Sequence, residues 1–406
     1  MGFEDTLMLV GVIGKTNVGK STFFSASTML SVPIGNYPFT TINPNVGLAY
    51  YKTKCVCKEL GVKDNPTTSI CIDGTRLIPV KLMDVAGLVP GAALGRGLGN
   101  KFLDDLRQAD ALIHVVDASG STDIEGRPVT PGSHEPLEDI QFVEEELDLW
   151  FLNILKSDWQ RISKSSEASF DSGITQIQQK MSGLSISKAN ILSSVESVGL
   201  MNKKLSTWSE QNLLDFVKHL RRISKPTAIA ANKIDLFPAS LNYEKIKSTG
   251  RLCVPCSSEA ELVLRRAAEK KLIEYIPGDK DFKIIANLAE PQRKALELIK
   301  EKVLDKWGST GVQETINLTF KELLDMITVF PVEDERSLSD KKGNVLPEAL
   351  LIKKGSTAKD LAFKIHTDLG EGFLYAIDVK RGLRIGSDHV LNDGDVIKII
   401  STKARG

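Results

Sequence analysis

The chain has 406 residues, enough for two or three domains, and its 42% hydrophobic and 26% charged content is that of a globular protein. Its 52 basic and 52 acidic side chains cancel to a formal net charge of zero, so bulk electrostatics advertise neither nucleic acid nor an anionic membrane. No apolar run approaches the roughly 20 residues of a membrane span, no signal-peptide pattern opens the chain, and five cysteines suit a reducing compartment. Met1–Thr6 fits a myristoylation pattern, but its two acids and the strand that follows make that a coincidence. The expectation is a monomeric cytoplasmic protein that does not engage a membrane.

The apolar run Leu7–Ile13 reads as a buried parallel strand, and Gly14-Lys15-Thr16-Asn17-Val18-Gly19-Lys20-Ser21 follows it directly. This is the pattern G-x-x-x-x-G-K-[ST] of a phosphate-binding loop, and Thr22-Phe23-Phe24 opens the helix that such a loop requires. Backbone N–H groups of Val18, Gly19 and their neighbours point at the α- and β-phosphates. Lys20 reaches the β/γ oxygens, Ser21 ligates Mg²⁺, and Thr22 completes the nucleotide contacts. Asn17 has two readings: a loop-shaping residue that tolerates turn conformations, or part of a site where K⁺ replaces an arginine finger.

Asn36–Gly47 places Thr40 and Thr41 between prolines, as suits a mobile loop that orders when a hydroxyl meets Mg²⁺. Thr41 is the first choice of ligand and Thr40 the second. Cys55, Cys57 and Cys71 follow, with Asp64 among them. They form a conceivable zinc set, but C-x-C departs from the usual C-x₂-C spacing, and free, partly buried thiols are the default.

Asp84-Val85-Ala86-Gly87 ends the strand Ile78–Met83. Asp84 can hold Mg²⁺ through water, and the Gly87 N–H can sense the γ-phosphate. Lys20, Thr41, Gly87 and Asn17 are therefore the candidate catalytic residues, and Ser21, Thr41 and Asp84 the candidate metal ligands. Leu88 stands where small GTPases commonly carry a water-positioning Gln, and its side chain neither donates nor accepts a hydrogen bond, so intrinsic turnover should be slow. Pro90–Asn100 is Gly-rich and reads as a second switch, with Arg96 either on phosphate or a partner or simply solvated.

Ala109–Asp117 is a buried strand with His114 as a core histidine. From Pro136 the apolar spacing turns helical, and Ile174–Val198 steps by alternating three and four. That predicts a coiled-coil-like antiparallel hairpin over 137–217, inserted into the α/β domain and serving partner contact or bracing.

Asn232-Lys233-Ile234-Asp235 ends the strand Thr227–Ala231, where open α/β sheets bind ligands. The Asp235 carboxylate can accept from guanine N1–H and the 2-amino group, neither of which adenine offers. Asn232 would tie the loop together, and the Lys233 stem would cover the base. Ser257 and Ser258, after the strand Leu252–Pro255, either offer backbone N–H groups to guanine O6 or cap the next helix. From about Ile327 the chain switches to short strands, with a capped helix after Lys354 and a Gly370 C-cap. Lys380, Arg381 and Arg384 form a small basic cluster there.

The pieces NYPFTT-x-x-PN-x-G, DVAGLVPGA and GLGNKFLDDLRQAD resemble the Obg-related GTPases of the YchF (Obg-like ATPase) type, in an archaeal-looking branch. The resemblance covers essentially the whole chain. It implies an α/β P-loop, Ras-like G domain (1–136 and 218–325), a helical insertion (137–217) and a C-terminal β-grasp TGS domain (326–406). It also implies Mg²⁺, GTP and GDP as ligands and a ribosomal or RNA partner. Relatives that prefer ATP carry Glu in place of the guanine-reading Asp, whereas Asp235 is intact here. Those relatives also use a His in the loop after the strand ending at Asp117, and here only His134 lies near. The expected function is a slowly GTP-hydrolysing switch on the translation machinery. The alternatives are a nucleotide-stabilised ribosome- or RNA-binding module with little turnover, and an ATP-using stress regulator.

Overall fold

The computed structural model describes residues 8–28, 45–87, 91 and 105–403. Thr40, Thr41, Leu88 and Arg96 lie outside the described residues. Two compact units emerge: one draws on Leu9–Ser27 and Leu82–Thr315, the other on Thr28–Lys81 and Ile316–Gly406.

Seven strands come first in the chain: β1 (Leu9–Ile13), β2 (Val46–Lys54), β3 (Ile70–Ile72), β4 (Thr75–Asp84), β5 (Ala111–Asp117), β6 (Thr227–Asn232) and β7 (Cys253–Pro255). In the first unit β1, β5, β6 and β7 are parallel neighbours, with Val10 opposite Ala111, Asp117 opposite Asn232 and Ala230 opposite Val254. β5 is buried along its whole length, as an inner parallel strand covered on both faces must be. The Val85 N–H donates to the Val12 carbonyl at 3.1 Å, which sets the end of β4 beside β1. Among the described residues, the loop after β1, Asp84–Gly87, Asn232–Asp235 and Ser257–Ser258 therefore leave from the C-terminal edge of one sheet. A short ribbon, β8 (Ile273–Glu274) and β9 (Lys283–Ile284), completes the strands of this unit.

The helical insertion contains five helices rather than a two-helix hairpin: α3 (Pro136–Lys156), α4 (Trp159–Ser165), α5 (Phe170–Lys180), α6 (Lys188–Ser197) and α7 (Glu210–Ser224). The apolar seam is real, since Ile174, Ile177, Met181, Leu184, Ile191 and Val195 are all buried. It breaks between α5 and α6, where Ser185 takes a left-handed conformation (φ 56°) and Ser187 starts a new helix with a capping box to Asn190. A local capping signal interrupts a pattern that would otherwise run on as one helix. α3 and α7 are tied by a buried Arg221–Asp148 ion pair at 2.8 Å.

In the second unit, besides β2, β3 and the start of β4, the strands β10 (Met326–Val332), β11 (Leu350–Lys353), β12 (Phe373–Asp378), β13 (Leu383–Ile385) and β14 (Asp395–Ser401) form a sheet of their own, in order β11-β10-β14-β12-β13. Only β10 and β14 pair in parallel, the first and last strands lying side by side in the middle. A helix, Ala358–Ile365, is capped by Thr357, whose hydroxyl accepts from the Asp360 N–H, and it packs Leu361 and Ile365 into the core of Val329, Ile352 and Ile397. That helix ends at Ile365 and not at Gly370, which lies inside a second short helix, Thr367–Glu371. A Cβ on Gly370 would stand 2.3 Å from the Phe363 ring, so close packing and not capping requires the glycine there.

Burial pushes the His114 imidazole down to about 4. An unfolded histidine takes its proton near pH 6.5, so below that pH the unfolded state gains protons first and stability falls. Between pH 7 and pH 5 this one group should remove about 2 kcal/mol of stability. Chemical denaturation at the two pH values should show that loss reduced by this amount in His114→Phe, and an unchanged difference would refute it.

Candidate functional site

Five loops meet at the C-terminal edge of the first unit's sheet. The loop after β1 uses glycine where the backbone demands it. Gly14 has φ 152°, and a Cβ there would lie 2.5 Å from the Val115 carbonyl oxygen. Gly19 has φ 92°, and a Cβ there would lie 2.3 Å from Asn232 Nδ2. Between them Asn17 adopts φ 62°, a conformation Asn tolerates better than most residues, and its Nδ2–H donates to the Gly126 carbonyl at 2.9 Å. Both observations are those of a loop-shaping residue. α1 (Lys20–Thr28) starts at the end of this loop, so Val18–Ser21 present the unpaired N–H groups of a helix N-terminus.

Lys20 Nζ lies 3.1 Å from Asp84 Oδ1, and the Ser21 hydroxyl donates to Asp84 Oδ2 at 3.3 Å. A hydroxyl and a carboxylate this close, at the mouth of a helix N-terminus, fit the oxygen ligands of a hexacoordinate Mg²⁺. Gly87 runs beside the same loop, and a Cβ there would touch Thr16 Cγ2 at 3.1 Å.

Asn232 joins three segments. Its Nδ2–H donates to the Val18 carbonyl at 2.8 Å, its Oδ1 accepts from the Ser258 N–H at 2.9 Å, and its backbone carbonyl accepts from the Ala118 N–H. Asp235 accepts from the Ser257 hydroxyl at 2.8 Å, which leaves its second carboxylate oxygen toward a cavity of about 240 Å³. Gly19, Thr22, Asn232, Lys233, Asp235 and Ser258 line that cavity. The Ser258 hydroxyl is buried and has no hydrogen-bond partner among the described residues. Ser257 also accepts from the Ala260 N–H and so caps α8 (Ser258–Glu269), satisfying the capping alternative.

Three residues of the site escaped the sequence reading. Asp117, fully buried, accepts from the hydroxyls of Ser119, Ser121 and Thr122 and from Lys233 Nζ at 2.8 Å. Burial works against its charge, but Lys233 and the hydroxyls outweigh it and hold the carboxyl below the ordinary range. Lys233 therefore reaches the end of β5, while its stem still lines the cavity. Lys15, only 2% exposed, donates to the carbonyls of Thr122 and Asp123 and pairs with Asp139 at 2.7 Å. His134 Nε2 lies 2.7 Å from the same Asp139, which fixes the imidazole beside the start of α3. The position of Asp117 at a strand end opposite Asn232 was a usable signal. Lys15 and Asp139 offered none, because only the fold brings them together.

Residues 9–147 match a family model described as a 50S ribosome-binding GTPase, residues 230–334 one described as an Obg-like GTPase YGR210-like, G4 motif-containing domain, and residues 339–401 a TGS domain. A GTP-binding protein of Methanocaldococcus jannaschii, MJ1332, is 50% identical over 97% of this chain and 99% of its own. The chain belongs to the YchF family of Obg-related GTP-binding proteins. A solved structure, described as that of a GTP binding protein from Pyrococcus horikoshii OT3, is 42% identical and superposes with a TM-score of 0.77 over 97% of this chain and 100% of its own. A protein named ribosome-binding ATPase YchF from Bacillus subtilis is 26% identical over 96% of this chain and 98% of its own. The fold is thus a P-loop nucleotide-binding domain with a C-terminal TGS domain. No helix among the described residues is long and apolar enough to cross a membrane.

Replacing Asn232 by Ala would leave the Val18 carbonyl and the Ser258 N–H buried without partners, at about 1–3 kcal/mol each. We expect Asn232→Ala to lose about 2–4 kcal/mol of stability in denaturant titration. A loss below about 0.5 kcal/mol would show the bridge to be dispensable.

Proposed function

We propose that this YchF-family protein binds and slowly hydrolyses GTP, and that its GTP state binds the ribosome. The observation that carries the reading is Asp235. Its carboxylate is held by Ser257 at the wall of a cavity that begins at Gly19 and Thr22. A carboxylate there complements the two N–H donors on one edge of guanine and opposes the lone pair that adenine would present.

In this reading the phosphates lie on the N–H groups of Val18–Ser21, and Lys20 binds the β/γ oxygens. Ser21, Asp84 and Thr41 would hold Mg²⁺, which would supply neutralisation of charge on the phosphates. The Lys20–Asp84 pair keeps both side chains at the mouth of the loop, where Lys20 would meet a phosphate and Asp84 a metal ion. The Gly87 N–H would bind the γ-phosphate. Leu88, not Gln, follows Gly87, so the usual water-positioning side chain is missing. Turnover is accordingly slow without a partner. Asn17 serves the loop, and nothing in the comparisons speaks for potassium.

The TGS domain is the natural ribosome-facing module, but not through bulk charge. Lys380 pairs with Glu59 at 2.7 Å, Arg381 with Asp378 at 3.4 Å, and Arg384 stacks on Tyr375 at 3.6 Å. A second reading, ATP in place of GTP, has the names of the 26%-identical relatives in its favour and the carboxylate of Asp235 against it.

Two measurements test the proposal. Asp235→Asn turns one acceptor into a donor, which suits the C2 carbonyl of xanthine. It should weaken GTP at least about 10²-fold and improve XTP binding. Unchanged GTP affinity would remove the basis for guanine reading. Co-sedimentation should find the protein on ribosomes with a non-hydrolysable GTP analogue and not with GDP, and equal binding in both states would end the switch reading.

A further inference from the structure

The second unit carries a side-chain cluster that the nucleotide chemistry does not use. Cys55 follows the last residue of β2, Cys57 opens the short helix α2 (Cys57–Leu60), Asp64 follows the left-handed Gly61, and Cys71 sits in β3. The chain returns on itself at the Asp73-Gly74 hairpin turn between β3 and β4, and the Cys55 N–H donates to the Gly74 carbonyl at 2.8 Å. This closure brings the three sulfurs and a carboxylate oxygen to within 4.8 Å of one another. Cys57 Sγ lies 3.9 Å from Cys71 Sγ, and Cys55 Sγ lies 3.1 Å from Asp64 Oδ2.

We propose that Cys55, Cys57, Cys71 and Asp64 form a structural zinc site. A tetrahedral ion with Zn–S bonds of about 2.3 Å sets its sulfurs about 3.8 Å apart, and a sulfur and a carboxylate oxygen about 3.5 Å apart. The Cys57–Cys71 and Cys55–Asp64 separations need shifts of only a few tenths of an ångström, and the remaining ones, all within 4.8 Å, at most about 1 Å. A Cys57–Cys71 disulfide would instead have to bring its sulfurs to about 2.05 Å. Three thiolates select zinc over harder divalent ions.

The surroundings supply what such a site needs. Three thiolates and a carboxylate on a divalent ion leave excess negative charge, and a fully buried cation stands next to it. Arg76, opposite Cys71 in the β3–β4 pair, lies 3.1 Å from Asp64 Oδ2. The same guanidinium donates to Ser69 Oγ and to the Leu346 carbonyl and lies over the Phe330 ring. The ligand-bearing loop is itself part of the TGS unit. The Asn65 N–H donates to the Val345 carbonyl and the Thr67 N–H to the Pro347 carbonyl. An ion at the four ligands would fix the loop that carries these contacts, in the way outer hydrogen bonds and metal ligands support each other elsewhere.

The test is metal analysis of the full chain purified without chelator or affinity metal. The proposal expects about one zinc per chain, loss of that zinc in Cys57→Ser and Cys71→Ser, and full retention in Cys253→Ser, which alters a thiol outside the cluster. Replacement by Co²⁺ should give the absorption of tetrahedral thiolate coordination. Metal-free protein in which all five cysteines react after denaturation would overturn the site in favour of free thiols, and metal-free protein with two fewer reactive thiols would overturn it in favour of a disulfide. Retention of zinc in Cys57→Ser and Cys71→Ser alike would place the metal elsewhere.

Discussion

Much of the first unit depends on one carboxamide. Asn232 sits at the end of an inner strand, and with the two ends of its side chain it holds the loop after β1 and the start of α8. The phosphate loop can come this close only because residue 19 has no side chain, as a Cβ would stand 2.3 Å from the amide nitrogen. Gly19 and Asn232 therefore constrain each other across more than two hundred residues of chain. The consequence is a cavity whose phosphate end and base end share one rigid support, and preorganisation of this kind limits what binding must cost in ordering.

A second brace works from the other side of the loop. Lys15 is buried against Asp139 and two carbonyls of the segment after β5, and Asn17 and Thr16 bond to the carbonyls of Gly126 and Glu125. Removing one partner of such a buried pair leaves an uncompensated charge, which makes the pair costly to break even where its net contribution is small. The helical insertion begins at α3, which carries Asp139 on its first turn, so the start of that insertion is fastened to the phosphate loop. Anything that moves α3 would be felt at Lys15.

How legible was this in the sequence? The phosphate loop, Asp84–Gly87 and Asn232–Asp235 were legible because each is a local pattern at the end of an apolar run, and strand ends gather on one edge of a parallel sheet whatever lies between them. The TGS strands were legible as alternations of short apolar runs and turns, although β13 hid behind its exposed Leu383 and Arg384. The hairpin prediction misread the insertion because a three-four apolar step continues across a break that only Ser185 and the Ser187 cap announce. Lys15 read only as a variable position of the phosphate-loop pattern, since its partner lies 124 residues away. The Asp73-Gly74 turn was a local signal that would have paired β3 with β4 and drawn Cys71 toward Cys55.

The central claim is that this site reads guanine although relatives of the same fold bear ATPase names. Calorimetric titration of the nucleotide-free protein with GDP and with ADP, each with Mg²⁺, tests it most directly. The account predicts GDP bound at least about a hundredfold more tightly, the discrimination expected when an acceptor pair meets two donors rather than a lone pair. Equal affinities, or a preference for ADP, would contradict it.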